Sequence, residues 1–140
     1  KKKKKKNKIK KKIIKLNMKN NIKLIGELSP EKVKKFMAAT DIFVLPSFTE
    51  AFPMVVLEAL ASGKPVIGSN VGAIPEIIST NEYGFIIDSK NINDVSDKIN
   101  QALNKEWDQQ KIKNYSTKFD CEKKMQKIID LYIHIFEKEW

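Results

Sequence analysis

Apolar residues along this chain come in short blocks set apart by polar turns, and the blocks alternate between two periods. Asp41 to Leu45 is apolar without a break from Ile42 on, which predicts a strand covered on both faces. Ahead of it, Ile22 to Ile25 reads as a short strand ended by Gly26. Ser29, Pro30 and Glu31 then open a helix that runs to about Ala39, with Pro30 at its first position. Behind Leu45, a polar turn feeds a helix that starts with Pro53 and is apolar at Met54, Val55, Val56, Leu57, Ala59, Leu60 and Ala61. Proline suits the first helical position, where its missing amide would have no intrahelical partner, and Gly63 suits the left-handed position just past the end. Pro65 to Ser69 predicts a third strand, and Val71 to Ala73 a turn into a helix beginning at Pro75 and Glu76. Phe85 to Ile87 predicts a fourth strand, and Ile92 to Asn104 a helix with Val95, Ile99, Ala102 and Leu103 on one face. Asp120 caps a last amphipathic helix carrying Met125, Ile128, Leu131, Tyr132, Ile135 and Phe136. Strands alternating with helices give an α/β fold, a parallel sheet with helices on both faces.

Composition changes this picture at one end. The 140 residues are enough for one domain, and the formal charge of +10 resembles that of a nucleic-acid binder until it is mapped along the chain. Residues 1–20 hold twelve lysines and no acid, whereas from Asn21 onward 15 lysines face 17 acids. The basic character therefore belongs to a tail. There is no arginine, so no guanidinium fork is available for base edges, which argues against nucleic acid as a partner. Lys1 to Lys6 should repel itself and stay without structure, so residues 1–7 read as a disordered tail and 8–140 as the domain. From Lys8 on, Ile9, Ile13 and Leu16 recur at helical spacing. Lysines 1 to 19 could also attract an anionic membrane surface. One cysteine, Cys121, excludes an internal disulfide, and His134 is the only histidine. No apolar run approaches the roughly 20 residues that span a bilayer, which points to a cytoplasmic protein, at most peripheral to a membrane.

The chemistry concentrates in Pro46 to Glu58, PSFTEAFPMVVLE. Glu58 is the only charge on its helix, and Glu50 lies in the loop ahead of it, so two carboxylates bracket one helix N-terminus. The first turn of a helix presents unpartnered amides and the positive end of the dipole, which suits a phosphate. Carboxylates do not bind phosphate; they accept hydrogen bonds from hydroxyls. A ligand with both parts, a diphosphate joined to sugars, meets both demands. The plain alternative is that Glu50 is a solvated loop charge and Glu58 is paired to a lysine. In open parallel sheets ligands bind beyond the carboxyl ends of the strands, the edge where Glu50, Gly72 and Gly26 fall.

The run IGEL, then DIFVLPSFTEAFPMVVLEALASGKPVIGSNVGAIPEII, then NEYGFIID, resembles the donor-binding half of the group 1 retaining glycosyltransferases, over roughly residues 8–140. That resemblance implies the Rossmann-like C-terminal domain of a two-domain GT-B fold, here incomplete. It implies transfer of a hexose from a nucleotide diphosphate sugar to an acceptor with retention, in cell-surface polysaccharide or lipid-linked sugar synthesis, without a bound metal or other cofactor. In the family a Glu, seven residues and a second Glu follow a Pro-Ser turn. Carried over, Glu50 orients the transferred sugar and helps stabilise charge at the anomeric carbon, and Glu58 holds the ribose hydroxyls. The backbone at Ala51, Phe52, Met54 and Val55 meets the sugar and diphosphate, and Leu24, Ile25 and Gly26 lie near the base.

The sequence departs from the family pattern at Ala51 and Ala73, where glycines are usual, and in lacking the upstream basic segment that pairs with the diphosphate. An N-terminal acceptor-binding domain and the first strands of the sheet are expected as missing partners, so the isolated chain should transfer little. A nucleotide-sugar epimerase of the same fold and a non-catalytic remnant or interaction module are the other readings.

Overall fold

The computed structural model describes residues 2–120 and residue 130, with side chains from residue 6 onward. The chain divides into two compact units, Lys1–Val33 and Lys34–Trp140. In the first, helix α1 (Lys2–Lys15) takes in the lysine run that the sequence reading left without structure. Lysine is a good helix former, and a helix already nucleated around Ile9 and Ile13 extends at little cost per residue. Asn17, with φ 54°, ends it. Its amide bonds the Ile14 carbonyl and the Met18 amide reaches back to Ile13, both at 3.0 Å, which satisfies two carbonyls of the last turn. Ile22 to Ile25 is not a strand. Ile22 and Ile25 are exposed, and among the described residues the sheet contains no ladder for this segment.

Helix α2 (Pro30–Ala39) begins at Pro30 as its sequence predicts and crosses the boundary between the units. The second unit then builds a parallel sheet from β1 (Phe43–Leu45), β2 (Val66–Ser69) and β3 (Gly84–Ile87), in the order β1-β2-β3. Between and after the strands come α3 (Met54–Ala61), α4 (Ile74–Ile77), α5 (Ile92–Asn104), α6 (Gln109–Ser116) and a 3-10 turn at Thr117–Phe119. The sequence reading did not anticipate α6, which Asp108 caps by accepting the Lys111 amide at 2.8 Å. The final helix predicted from Asp120, with Met125 through Phe136, lies outside the described residues, as do Cys121 and His134.

Alternation along the strands divides the core into two layers, as the period of two requires. On one face Val66, Val56, Ala59, Leu60, Ile74, Ile77, Ile112 and Tyr115 pack together, with Phe43, Leu45 and Ile86 against them. On the other, Ile67, Phe85, Ile87 and Ala102 form a second cluster backed by Ile42, Val44, Val95 and Ile99. Both faces are therefore covered by helices, and the apolar run of β1 needs both.

Gly68 belongs to this arithmetic of space, because a Cβ there would sit 2.5 Å from Ile74 Cγ2 and push α4 away. Helix α3 ends as its sequence predicts: Gly63 has φ 73°, its amide bonds Leu60 and the Lys64 amide bonds Ala59, each at 2.9 Å. Its start is one residue later than predicted. Pro53 is the cap, with φ −78° and ψ 101°, and Met54 is the first helical residue. Extended backbone at the cap lets the Pro53 carbonyl accept the Val56 amide at 3.0 Å.

Leu60 is fully buried in the first layer. Leu60→Ala should lower unfolding stability by about 2–5 kcal/mol, read as a lower urea midpoint with an unchanged slope; a shift under a quarter of that would mean the layer is loosely packed.

Candidate functional site

The three strands end at a common edge, and the loops that leave it are laced together. Ser69 Oγ donates to the Leu45 carbonyl at 3.3 Å, joining the ends of β2 and β1. The Asn70 amide donates to Ile87 at 3.1 Å, joining β2 to β3. Ser89 Oγ donates to the Ser47 carbonyl at 3.3 Å, so the loop after β3 reaches the loop after β1. The Ala73 amide donates to the Ala51 carbonyl at 3.0 Å. Beside that bond Gly72 has φ 54°, and a Cβ there would overlap the Glu50 carbonyl. Glycine is required at that point by conformation and by space together.

Glu50 sits in this laced loop, half-buried, with Oε1 accepting a hydrogen bond from Ser47 Oγ at 2.7 Å. The bond holds the carboxylate in one orientation and leaves lone pairs for further donors. The solvated-charge alternative therefore does not describe Glu50. Ala51 and Phe52 are exposed, and the chain passes through buried Pro53 into α3.

Glu58 lies four residues after Met54, hence on the same helical face, and both are exposed. Among the described residues no lysine forms an ion pair with Glu58. The helix N-terminus has no side-chain cap, and among the described residues the Met54 and Val55 amides have no acceptor. Phe52 and Met54 keep about half of their surface in solvent (49% and 55%), so apolar surface is displayed at the mouth of the site. Leu24, Ile25 and Gly26 belong to the other compact unit. There Gly26 takes φ 86° and Ile25 is 48% exposed.

Three features escaped the sequence reading. One is the bond from Ser47, which the sequence shows only as part of the Pro-Ser turn, to the Glu50 carboxylate. Gly72 was placed at the right edge without its contact to Glu50. The third is a cleft of about 500 Å³ between the three loops, with Phe48, Asn70, Asp88 and Lys90 on its walls. Among the described residues no cluster of acids, histidines and cysteines suits a metal ion, and no helix is long and apolar enough to cross a membrane.

The sequence profile of the family described as glycosyl transferases group 1 matches residues 2–119. The chain belongs to that family. An uncharacterised glycosyltransferase of Methanocaldococcus jannaschii is 37% identical over 123 residues, which is 83% of this chain and 35% of the relative. Among solved structures, a glycosyltransferase from Rickettsia africae superposes with a TM-score of 0.79 at 26% identity, covering 94% of this chain and 36% of that one. HepE from Anabaena, solved in complex with UDP, superposes with a TM-score of 0.77 at 23% identity, covering 91% and 36%. This glycosyltransferase chain thus spans about a third of the length of those proteins, which share its Rossmann-like fold.

The two alanines that replace family glycines are accommodated in different ways. Ala73 is right-handed, with φ −80° and ψ −1°, so its methyl costs nothing in conformation. Ala51 is not among the residues with positive φ, and it faces solvent. Neither demands the special backbone that glycine serves.

Gly72→Ala should be far more damaging than either. Left-handed strain alone costs about 1–3 kcal/mol, and the overlap with Glu50 adds to it. The variant should show a lower melting temperature together with changed chemical shifts at Glu50 and Ala51; a melting curve matching that of the parent would mean that the two loops are not in contact.

Proposed function

We propose that this chain is the nucleotide-sugar-binding part of a retaining hexosyltransferase. The observation that carries the reading is the pair of acids on either side of one helix N-terminus: Glu50, oriented by Ser47 in the loop ahead of it, and Glu58, without an ion pair among the described residues, on an otherwise uncharged helix beyond an uncapped first turn. Glu50 accepts hydrogen bonds from hydroxyls of the transferred sugar and offsets positive charge developing at its anomeric carbon. Glu58 accepts from the ribose hydroxyls. The amides of Ala51, Phe52, Met54 and Val55 receive the sugar and diphosphate oxygens, where unpartnered N–H groups and the helix dipole favour negative charge. The UDP bound to HepE supports a uridine diphosphate sugar as the first donor to test.

On this reading the leaving diphosphate departs on the face from which the acceptor attacks, which gives retention. The transferase needs an acceptor-binding domain and further cationic groups for the diphosphate, in keeping with a chain that spans about a third of its relatives. It works at the cytoplasmic face of a membrane, where the lysines of α1 meet anionic lipid and the products are surface polysaccharides.

Titration calorimetry with UDP tests the ribose role. Removing a charged acceptor from two hydroxyls costs about 1.5–3 kcal/mol, so Glu58→Ala should weaken UDP roughly 10- to 100-fold. Equal affinity in parent and variant, or no binding to either, removes the assignment. A transfer assay on the 140-residue chain with UDP-glucose should give turnover at least about 10²-fold below that of a complete family enzyme, since one missing charge-stabilising group alone costs 10²–10³; robust turnover would show that this chain holds all the machinery it needs.

A further inference from the structure

The cleft between the three loops differs in chemistry from the mouth of α3. Phe48 stands at its edge with 71% of its surface in solvent. Val71 supplies an apolar wall, and Asn70, Asp88, Ser89 and Lys90 bring an amide, a carboxylate, a hydroxyl and an ammonium to the rim. One acid and one lysine nearly cancel, so the cleft has no preference for a phosphate. Among the described residues the side chains of Asn70 and Lys90 form no hydrogen bond or ion pair, which leaves donors and acceptors of both kinds available.

The walls are nonetheless fixed. The Asn70 amide is tied to Ile87 and Ser89 to Ser47, while Asp88 Oδ1 accepts the Lys90 amide at 2.9 Å and the Asp88 amide donates to Asp94 at 2.7 Å. At about 500 Å³ the cleft falls within the 300–1,000 Å³ of ordinary small-ligand sites. A second cleft of about 360 Å³ shares Asp88 and Lys90 with it and is bordered by Ile92, which is 81% exposed.

An open aromatic ring beside mixed, uncharged-on-balance hydrogen-bonding groups matches a pyranose, whose C–H face is apolar and whose edge is hydroxyl. We propose that this cleft binds a pyranose unit of an uncharged saccharide, and that under the transferase reading, on which this role rests, the saccharide is the acceptor. Phe48 stacks on the ring, and Asn70, Asp88 and Lys90 take its hydroxyls. The cleft opens at the first half of the loop whose second half carries Glu50, so an acceptor held there is attached to the same laced segment as the donor contacts. Specificity for the acceptor would then be divided between this chain and the rest of the protein.

Saturation-transfer NMR on the 140-residue chain with methyl α-D-glucopyranoside, methyl α-D-mannopyranoside and N-acetylglucosamine tests this. At least one should receive saturation, and Phe48→Ala and Asn70→Ala should each reduce it about two- to tenfold, the effect of losing one modest contact. Both side chains are exposed, so melting temperatures should not move. UDP binding should survive both changes, and Glu58→Ala should leave the pyranoside signal intact. The proposal is overturned by silence from all three sugars, by signals that both variants retain, or by displacement of the sugar with inorganic phosphate or with UDP. Loss of UDP binding alone, with the pyranoside still held through Phe48 and Asn70, would instead sink the donor reading and leave a carbohydrate cleft standing.

Discussion

The contact of Gly72 with the Glu50 carbonyl, and the Ala73 to Ala51 hydrogen bond beside it, govern the rest of the site. Loops at the carboxyl edge of a parallel sheet lie at the surface and are ordinarily the mobile part of such a fold. Here the loop after β2 is pressed into the loop after β1, and the backbone bond can form only because no side chain intervenes. The sheet's order is thereby passed to Glu50. With Ser47 fixing the carboxylate from its own side, the acid is held in one orientation by the chain itself.

Electrostatics reinforces that arrangement by omission. Helix α3 is apolar apart from Glu58, and the lysines that dominate the composition cluster at the start of the chain. Glu58 thus keeps its acceptor capacity, while the first turn keeps its amides. A lysine at position 54 or 62, one turn from Glu58, would pair with the carboxylate. A serine or aspartate at position 53 would satisfy the amides from within the chain. Pro53 does neither, since it has no side-chain acceptor and fixes the entry angle of the helix.

Strands β1, β2 and β3 and helices α3 and α5 were legible because their apolar periods are strong and their ends are marked. Pro53 falls one residue before the observed start of α3 and Gly63 just past its Ser62 cap, while the bounds Ile92 and Asn104 coincide with those of α5. Legibility failed where structure depends on partners that pattern does not name. Ile22 to Ile25 has the composition of a strand, but a strand is made by its neighbour's hydrogen bonds. The lysine run looked too charged to order, yet local propensity and a nucleated turn outweigh repulsion that solvent screens. Helix α6 has only Ile112 and Tyr115 as buried anchors, too few for a periodic signal. At the site, the two acids and the helix start were readable from spacing. The Ser47 bond, the Gly72 contact and the cleft beside Phe48 are products of three loops meeting in space, which no single stretch of sequence displays.

Among the described residues, the hydrogen bonds that tie β1 and the Glu50 loop to other elements at this edge come from one side. Ser69, Ala73 and Ser89 reach them from β2 and from the loops beyond β2 and β3, while among the described residues β1 is an edge strand whose outer ladder is unpaired. Yet Phe43, Val44 and Leu45 have the apolar character, on both faces, of an interior strand, and β1 leads directly into the Glu50 loop. Edge strands in stable proteins are usually short, charged or covered; β1 is short and carries no charge. The loop therefore depends on the β2 side for its order, which is why a glycine in that neighbouring loop, rather than a residue of the loop itself, is the position at which the site is most easily broken.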